Sequence, residues 1–157
     1  MADLTIARAI HILSIVIWIG GVAFVTMVLI PVIRNPSFKT EQLSIFKTVE
    51  NRFASIARAV VILAGLSGFY MTYKMNAWGR FLEAQYFWMH TMALVWLVFV
   101  IALFVIEPFF IKNHRRMVKD GRNIEDLKKT QLVHTVILVL SLITIFISAL
   151  GAHGFFH

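Results

Sequence analysis

Apolar residues do not alternate with polar ones along this chain; they gather into four long runs, residues 12–33, 54–73, 87–111 and 132–152, separated by stretches rich in charge. Each run is close to the ~20 residues that an α-helix needs to cross a hydrocarbon layer. With both termini short, the pattern predicts an all-α fold: one integral membrane four-helix domain, with helices near 5–33, 41–74, 86–112 and 124–152. Short connections make successive helices neighbours, which predicts an up-down-up-down bundle in which the first and third helices run parallel on one diagonal, the second and fourth on the other.

The first run is longer than the apolar core of a secretory signal, contains Trp18 and lacks a small-residue cleavage site, so it reads as a retained helix. Before the second run, Pro36 stops a helix, Ser37 or Thr40 can cap the next, and Leu43, Phe46, Glu50 and Phe53 recur at helical spacing. Asp120-Gly121 reads as a turn, and Asn123 with Asp126 as a capping arrangement. Glu107-Pro108 marks a helix end or kink, with Glu107 placed to pair with a loop lysine.

Composition agrees with a membrane solvent: 59% of the 157 residues are hydrophobic, and the mean hydropathy is +0.80. The formal charge of +7 would suggest nucleic acid in a soluble protein. Here the basic residues sit between the runs, and no nucleic-acid partner is expected. With Arg58 at the start of the second run counted there, twelve Lys and Arg fall on the side of the 34–52 and 112–131 connections, against Arg8, Lys74 and Arg80 on the other. The positive-inside rule then places both termini external, in a multi-pass protein of a bacterial inner membrane.

The absence of cysteine excludes disulfides, covalently attached c-type haem and thiolate-bound iron–sulfur clusters. No Gly-rich phosphate loop, nucleophile elbow or paired catalytic carboxylates are present. Any metal or cofactor must lean on His, Met, Lys or carboxylates, and the chain has six histidines. His11 opens the first helix, His90 opens the third and His153 closes the fourth, so all three fall at the external end. His134 lies 19 residues before His153, roughly 28 Å along a helix, so those two cannot share one cofactor. Two imidazoles on facing bundle helices can hold a b-type haem iron, and His11 with His90 suits that best; Arg8, one turn outward, could pair with haem propionates. Arg58 and His134, at the inner end of the other diagonal, could hold a second haem or an anion. The alternative for each is interfacial duty, since imidazole and long basic side chains tolerate the membrane edge. His114 and His157 read as solvated.

Three further patterns bear on a site. His11, Ser14, Trp18, Gly21 and Val25 share one helical face, which points inward. Ala57, Ala64, Gly65, Ser67 and Gly68, with Gly20-Gly21, allow close helix approach or room for a flat macrocycle. Met71, Met75, Met89 and Met92 collect at the external end, where thioether and imidazole together suit Cu(I). Methionine is also an ordinary packing residue.

The stretches "HILSIVIWIGGVAFVTMVLIPVIR" and "NRFASIARAVVILAGLSG" resemble the His-x6-Trp-x-Gly-Gly opening and the Arg-rich, Gly-ending second helix of the copper-resistance protein D superfamily, which includes the haem-dependent protoporphyrinogen oxidases of bacteria. The similarity covers the first two helices and part of the third. It implies a small helical membrane protein with His11 as haem ligand. In the third helix "WMHTM" matches a Trp-x-His-x-Lys pattern at Trp88 and His90, with Met92 where the oxidases have lysine. The expectations are therefore a membrane b-type cytochrome that exchanges electrons with a quinone or a redox protein; a copper transport or tolerance protein; or a porphyrinogen oxidase. Membrane lipid is the partner common to all three, and a homo-oligomer is compatible with each.

Overall fold

A computed structural model describes residues 2–33, 40–106 and 124–156. Pro36, Ser37, Glu107, Pro108, His114, Asp120, Gly121, Asn123 and His157 lie outside them, as do the side chains of Leu43, Phe46, Glu50 and Asp126. The described residues form α1 (Ala2–Phe24), α2 (Ile30–Ile33), α3 (Thr40–Lys74), α4 (Phe87–Ile101) and α5 (Ile124–Ala152). Four helices are long and apolar enough to cross a membrane: Ala2–Val32, Asn51–Lys74, Ala84–Ile106 and Gln131–Ala152. In their most apolar windows no more than 33% of the residues are buried. Most of the large apolar surface therefore faces outward, which water would penalise at about 25 cal/mol per Å².

The first span is not one uninterrupted α-helix. Val25–Leu29 widens to a π-helical turn, closed by the Ile30 N–H on the Val25 carbonyl. Pro31 is the physical reason: it has no N–H to give the Met27 carbonyl, and its ring crowds that oxygen. Thr26 adds to the local rearrangement by donating its hydroxyl to the Val22 carbonyl at 2.7 Å. A second π-helical turn, Ala102–Ile106, ends the third span, and there Arg58 Nε donates to the Leu103 carbonyl at 3.3 Å. Between the second and third spans the connection is folded rather than open. Asn76 adopts the left-handed conformation (φ 48°, ψ 37°), a geometry asparagine tolerates, and 3₁₀ turns follow at Ala77–Leu82 and Ala84–Tyr86. Trp78 and Phe81 stack there at 6.2 Å, and Trp78 stacks on Phe69 of α3 at 6.3 Å.

The core joins all four spans: Trp18, Ile19 and Val22 from α1, Val60, Val61 and Ala64 from α3, Phe99 from α4 and Leu138 from α5. Trp18 meets Phe99 edge to face at 4.6 Å. The most extensive helix pairing is α1 on α3, with α4 on α5 next. Asp3 reaches Tyr70, and His11 reaches Ala64. A Cβ at Gly21 would run into the Phe53 ring, so contacts climb one helix as they descend the other.

Buried polar atoms are mostly satisfied, but Trp18 Nε1, Trp88 Nε1 and Ser148 Oγ have no hydrogen-bond partner. An unpaired buried N–H costs about 1–3 kcal/mol. Trp18→Phe removes that donor while keeping most of the ring, so it is expected to shift stability by less than about 1 kcal/mol. Trp18→Ala should cost about 3–5 kcal/mol, through the cavity it opens beside Phe99. Thermal denaturation of the two variants in the same detergent reads the difference.

Candidate functional site: the His11 seat

A helical carbonyl at position i is covered by the side chain at i+4, because side chains tilt toward the helix N-terminus. Where i+4 is glycine, that oxygen is open to a donor from a neighbouring helix. A carbonyl oxygen has two lone pairs and can accept a second hydrogen bond. The α3 segment containing Gly65 and Gly68 uses this twice.

On the α4 side, Gly65 bares the Val61 carbonyl, and Trp96 Nε1 donates to it at 2.9 Å. The indole lies where a Cβ at position 65 would be, 2.6 Å from Cζ2. On the α1 side, Gly68 bares the Ala64 carbonyl, and His11 Nδ1 lies 2.8 Å from that oxygen. A Cβ at position 68 would be 3.3 Å from His11 Cε1, tighter than ordinary contact.

The partner settles the tautomer. A carbonyl only accepts, so His11 Nδ1 carries the proton and the neutral ring presents Nε2 as an unprotonated donor of electrons. Ser67 completes the seat: its hydroxyl donates to the Leu63 carbonyl at 2.6 Å, leaving its oxygen to accept from His11 Nδ1 at 3.2 Å. A ring held through one nitrogen with the other left bare is the arrangement by which proteins orient a metal-binding histidine. The half-buried His11 side chain therefore fits the demands of an iron ligand.

The other candidates have different surroundings. His90 is exposed in the first turn of α4, and its ring packs on Phe81 at 5.3 Å, edge to face. His11 and His90 are thus engaged by different parts of the chain, α3 for the one and the 3₁₀ connection for the other. His153 follows the last residue of α5, is exposed, and donates from Nδ1 to the Ala149 carbonyl at 2.8 Å. Gly154, with φ 79°, closes that helix end. Arg8 is exposed, whereas Arg58 and His134 are half-buried, Arg58 being committed to the π-helical turn. Of the methionines, Met89 is buried, Met71 and Met92 are half-buried and Met75 is exposed. Among the described residues no group of three or more His, Asp or Glu side chains is gathered for a metal ion. A haem needs one or two axial nitrogens, not such a cluster.

The inward face read from the sequence is the packed one. Ser14, Trp18 and Val25 are buried, and His11 and Gly21 are half-buried. What sequence reasoning missed is the partner of His11. No spacing rule links position 11 to positions 64 and 68. Gly68, four residues after Ala64, is the signal that could have suggested an open carbonyl. A second polar group was also missed, at the outer end of the same helix pair. Tyr70 donates its hydroxyl to Asp3 at 2.9 Å, and Lys74 Nζ lies 3.5 Å from the same carboxylate oxygen.

Comparison of the chain with known protein families, with characterised proteins and with solved structures finds no match.

Proposed function

We propose that the protein is an integral membrane b-type cytochrome of a bacterial inner membrane, a four-helix up-down-up-down bundle with both termini external. His11 is its first haem ligand and His90 the second, Arg8 pairs with haem propionates at the outer edge, and electrons pass to or from a quinone or a redox protein. His153, or His134 with Arg58, would serve a second haem. One observation supports the reading: the bared Ala64 carbonyl takes the Nδ1–H of His11, which in the neutral ring leaves Nε2 as the unprotonated nitrogen. The resemblance to the copper-resistance protein D superfamily, carried by the quoted motifs, points to the same residue. The outward apolar surface, the charge asymmetry of the connections and the opposed course of α1 and α3 support the topology.

A haem held here would supply reversible one-electron iron chemistry. The chain's own part is to hold the His11 ring in one tautomer, to keep Nδ1 occupied by Ala64 and Ser67, and to exclude water with the packed core below Ser14 and Trp18. Electron exchange is proposed ahead of porphyrinogen oxidation. In that oxidation branch of the resemblance, lysine stands where this chain has Met92.

The test is the visible spectrum of the protein purified from membranes in mild detergent, with a pyridine-haem assay and elemental analysis. A Soret band that shifts on dithionite reduction, with about one or two haems per chain, is the expected result. A colourless protein carrying copper would overturn it in favour of copper handling through the Met and His side chains. A protein carrying neither would leave a structural membrane subunit.

A further inference from the structure

We propose that the seam between α4 and α5 binds one water molecule, held by Trp88 Nε1, Ser148 Oγ and the Ile147 carbonyl. Two side chains there depart from habits the rest of the chain keeps. Ser67 and Ser141 turn their hydroxyls back to the carbonyls four residues earlier, to Leu63 at 2.6 Å and to Ile137 at 2.8 Å. Ser148, only 8% exposed, makes no such bond, and its Oγ is without a partner among the described residues. Trp96 packs on Gly65 and gives its N–H to the Val61 carbonyl that this glycine bares. Trp88 packs on Gly151 in the same manner, since a Cβ at position 151 would overlap its Nε1 and Cδ1. Its buried Nε1 nevertheless gives its proton to none of the described residues.

The two exceptions are neighbours. Ser148 lies three residues before Gly151, so Cβ positions at the two are about 5–6 Å apart on one helix face. The indole nitrogen lies close to the second of those positions, which sets it about two hydrogen bonds of ~2.9 Å from the Ser148 side chain. Such a gap is too long for one hydrogen bond and suits a single bridging atom. Gly151 also bares the Ile147 carbonyl, by the relation that opens Val61 and Ala64 to their donors, and that oxygen has a second lone pair. The seam thus presents a donor, an acceptor and a hydroxyl that is both. Water matches all three: it accepts from Trp88, donates to Ile147 and exchanges a bond with Ser148, about the number of contacts usual for a buried water. A larger ligand would compete with the indole for the space that Gly151 leaves.

Depth suits the same occupant. Ser148 stands four residues from the end of its span, roughly 6 Å along the helix, within reach of the head-group layer yet buried from it. Phe87 meets Phe156 at 5.0 Å and closes the adjoining end of the seam. Trp18 Nε1 also has no partner, but it sits in the apolar cluster with Phe99 and Leu138, surroundings that stay dry. The bridge ties the first turn of α4, which carries His90, to the last turns of α5. It needs neither His11 nor a haem.

The experiment is cross-relaxation between water and the indole N–H groups of the full-length, ¹⁵N-labelled protein in detergent micelles, the four signals being assigned by single Trp→Phe replacements. The Trp88 N–H is expected to show contact with a long-lived water, and the Trp96 N–H, given to Val61, none. Ser148→Val puts methyl groups where the hydroxyl stood and should expel the water, with loss of the Trp88 signal to it. Ser148→Ala removes the exchangeable hydroxyl but leaves Trp88 and Ile147 as partners, so the contact should persist. Absence of water contact at Trp88 in the unaltered protein overturns the proposal without recourse to any variant, as does equal contact at Trp96. A contact that survives Ser148→Val also overturns it. Loss in Ser148→Ala would do the same, because the signal would then have been relayed through the serine hydroxyl.

Discussion

Leucine at position 65 is expected to lower the stability of the protein by about 3 kcal/mol, near the top of the range for overpacking a well-filled interior. Even the first carbon of a side chain there would sit 2.6 Å from Trp96 Cζ2 and 2.9 Å from its Nε1. The indole has little freedom to yield. Its N–H is held by the Val61 carbonyl at 2.9 Å, and Phe69 closes on its face, edge to face at 5.8 Å. Displacing Trp96 therefore breaks a hydrogen bond and opens the α3–α4 seam together. Gly20→Leu is the matched control, because nothing lies within 4 Å of a Cβ built at that position. Glycine in a helix interior also costs about 1 kcal/mol relative to good helix formers, so that change should be neutral or slightly stabilising. Trp96→Ala combined with Gly65→Leu should recover part of the loss by vacating the contested space. Thermal unfolding of the four proteins in one detergent decides it, and equal midpoints for Gly65→Leu and Gly20→Leu would refute the account of the seam.

That contrast also shows what the chain's sequence does and does not reveal. Both glycines stand in apolar helices, and residue type alone gives them one reading, close packing or room for a macrocycle. Gly65, like Gly21, Gly68 and Gly151, faces another element; Gly20 faces open space. The four spans were legible because burying a helix in hydrocarbon demands a long apolar run, a requirement written locally in the residues. The buried face through Ser14, Trp18 and Val25 was legible too, since 3.6 residues per turn is also a local property. The π-helical turn at Val25–Leu29 was overlooked, although Pro31 carried its cause. The connection at residues 74–85 reads as a loop by length, yet Trp78 and Phe81 find ring partners and Asn76 supplies the left-handed turn that starts it. Most opaque was the site. The depth match of His11 and His90 follows from counting residues, whereas the engagement of His11 with Ala64 and of His90 with Phe81 depends on which helix lies beside which.

His11→Asn should separate the two duties assigned to that side chain, because asparagine can place an amide N–H near the position of Nδ1 but has nothing at the position of Nε2. The hydrogen bond to Ala64, worth about 1 kcal/mol net, can then be kept while the iron ligand is lost. The expected result is a protein that purifies and unfolds like the unaltered chain and has no Soret band from this haem. His11→Ala should lose the band and about 1 kcal/mol of stability as well. The loss is not larger because the Ala64 carbonyl remains within its own helix ladder. Free imidazole, small enough to enter the space vacated in His11→Ala beside Gly68, is expected to restore part of the band. It should restore nothing in His11→Asn, where the space is filled. His90→Ala should change the band or abolish it while leaving the unfolding midpoint near that of the unaltered protein, since this ring is exposed and its loss removes an edge-to-face contact with Phe81. An unchanged spectrum in both His11→Asn and His90→Ala would remove these two residues from the haem site, and a midpoint shift in His11→Asn equal to that in His11→Ala would show that the amide fails to replace Nδ1.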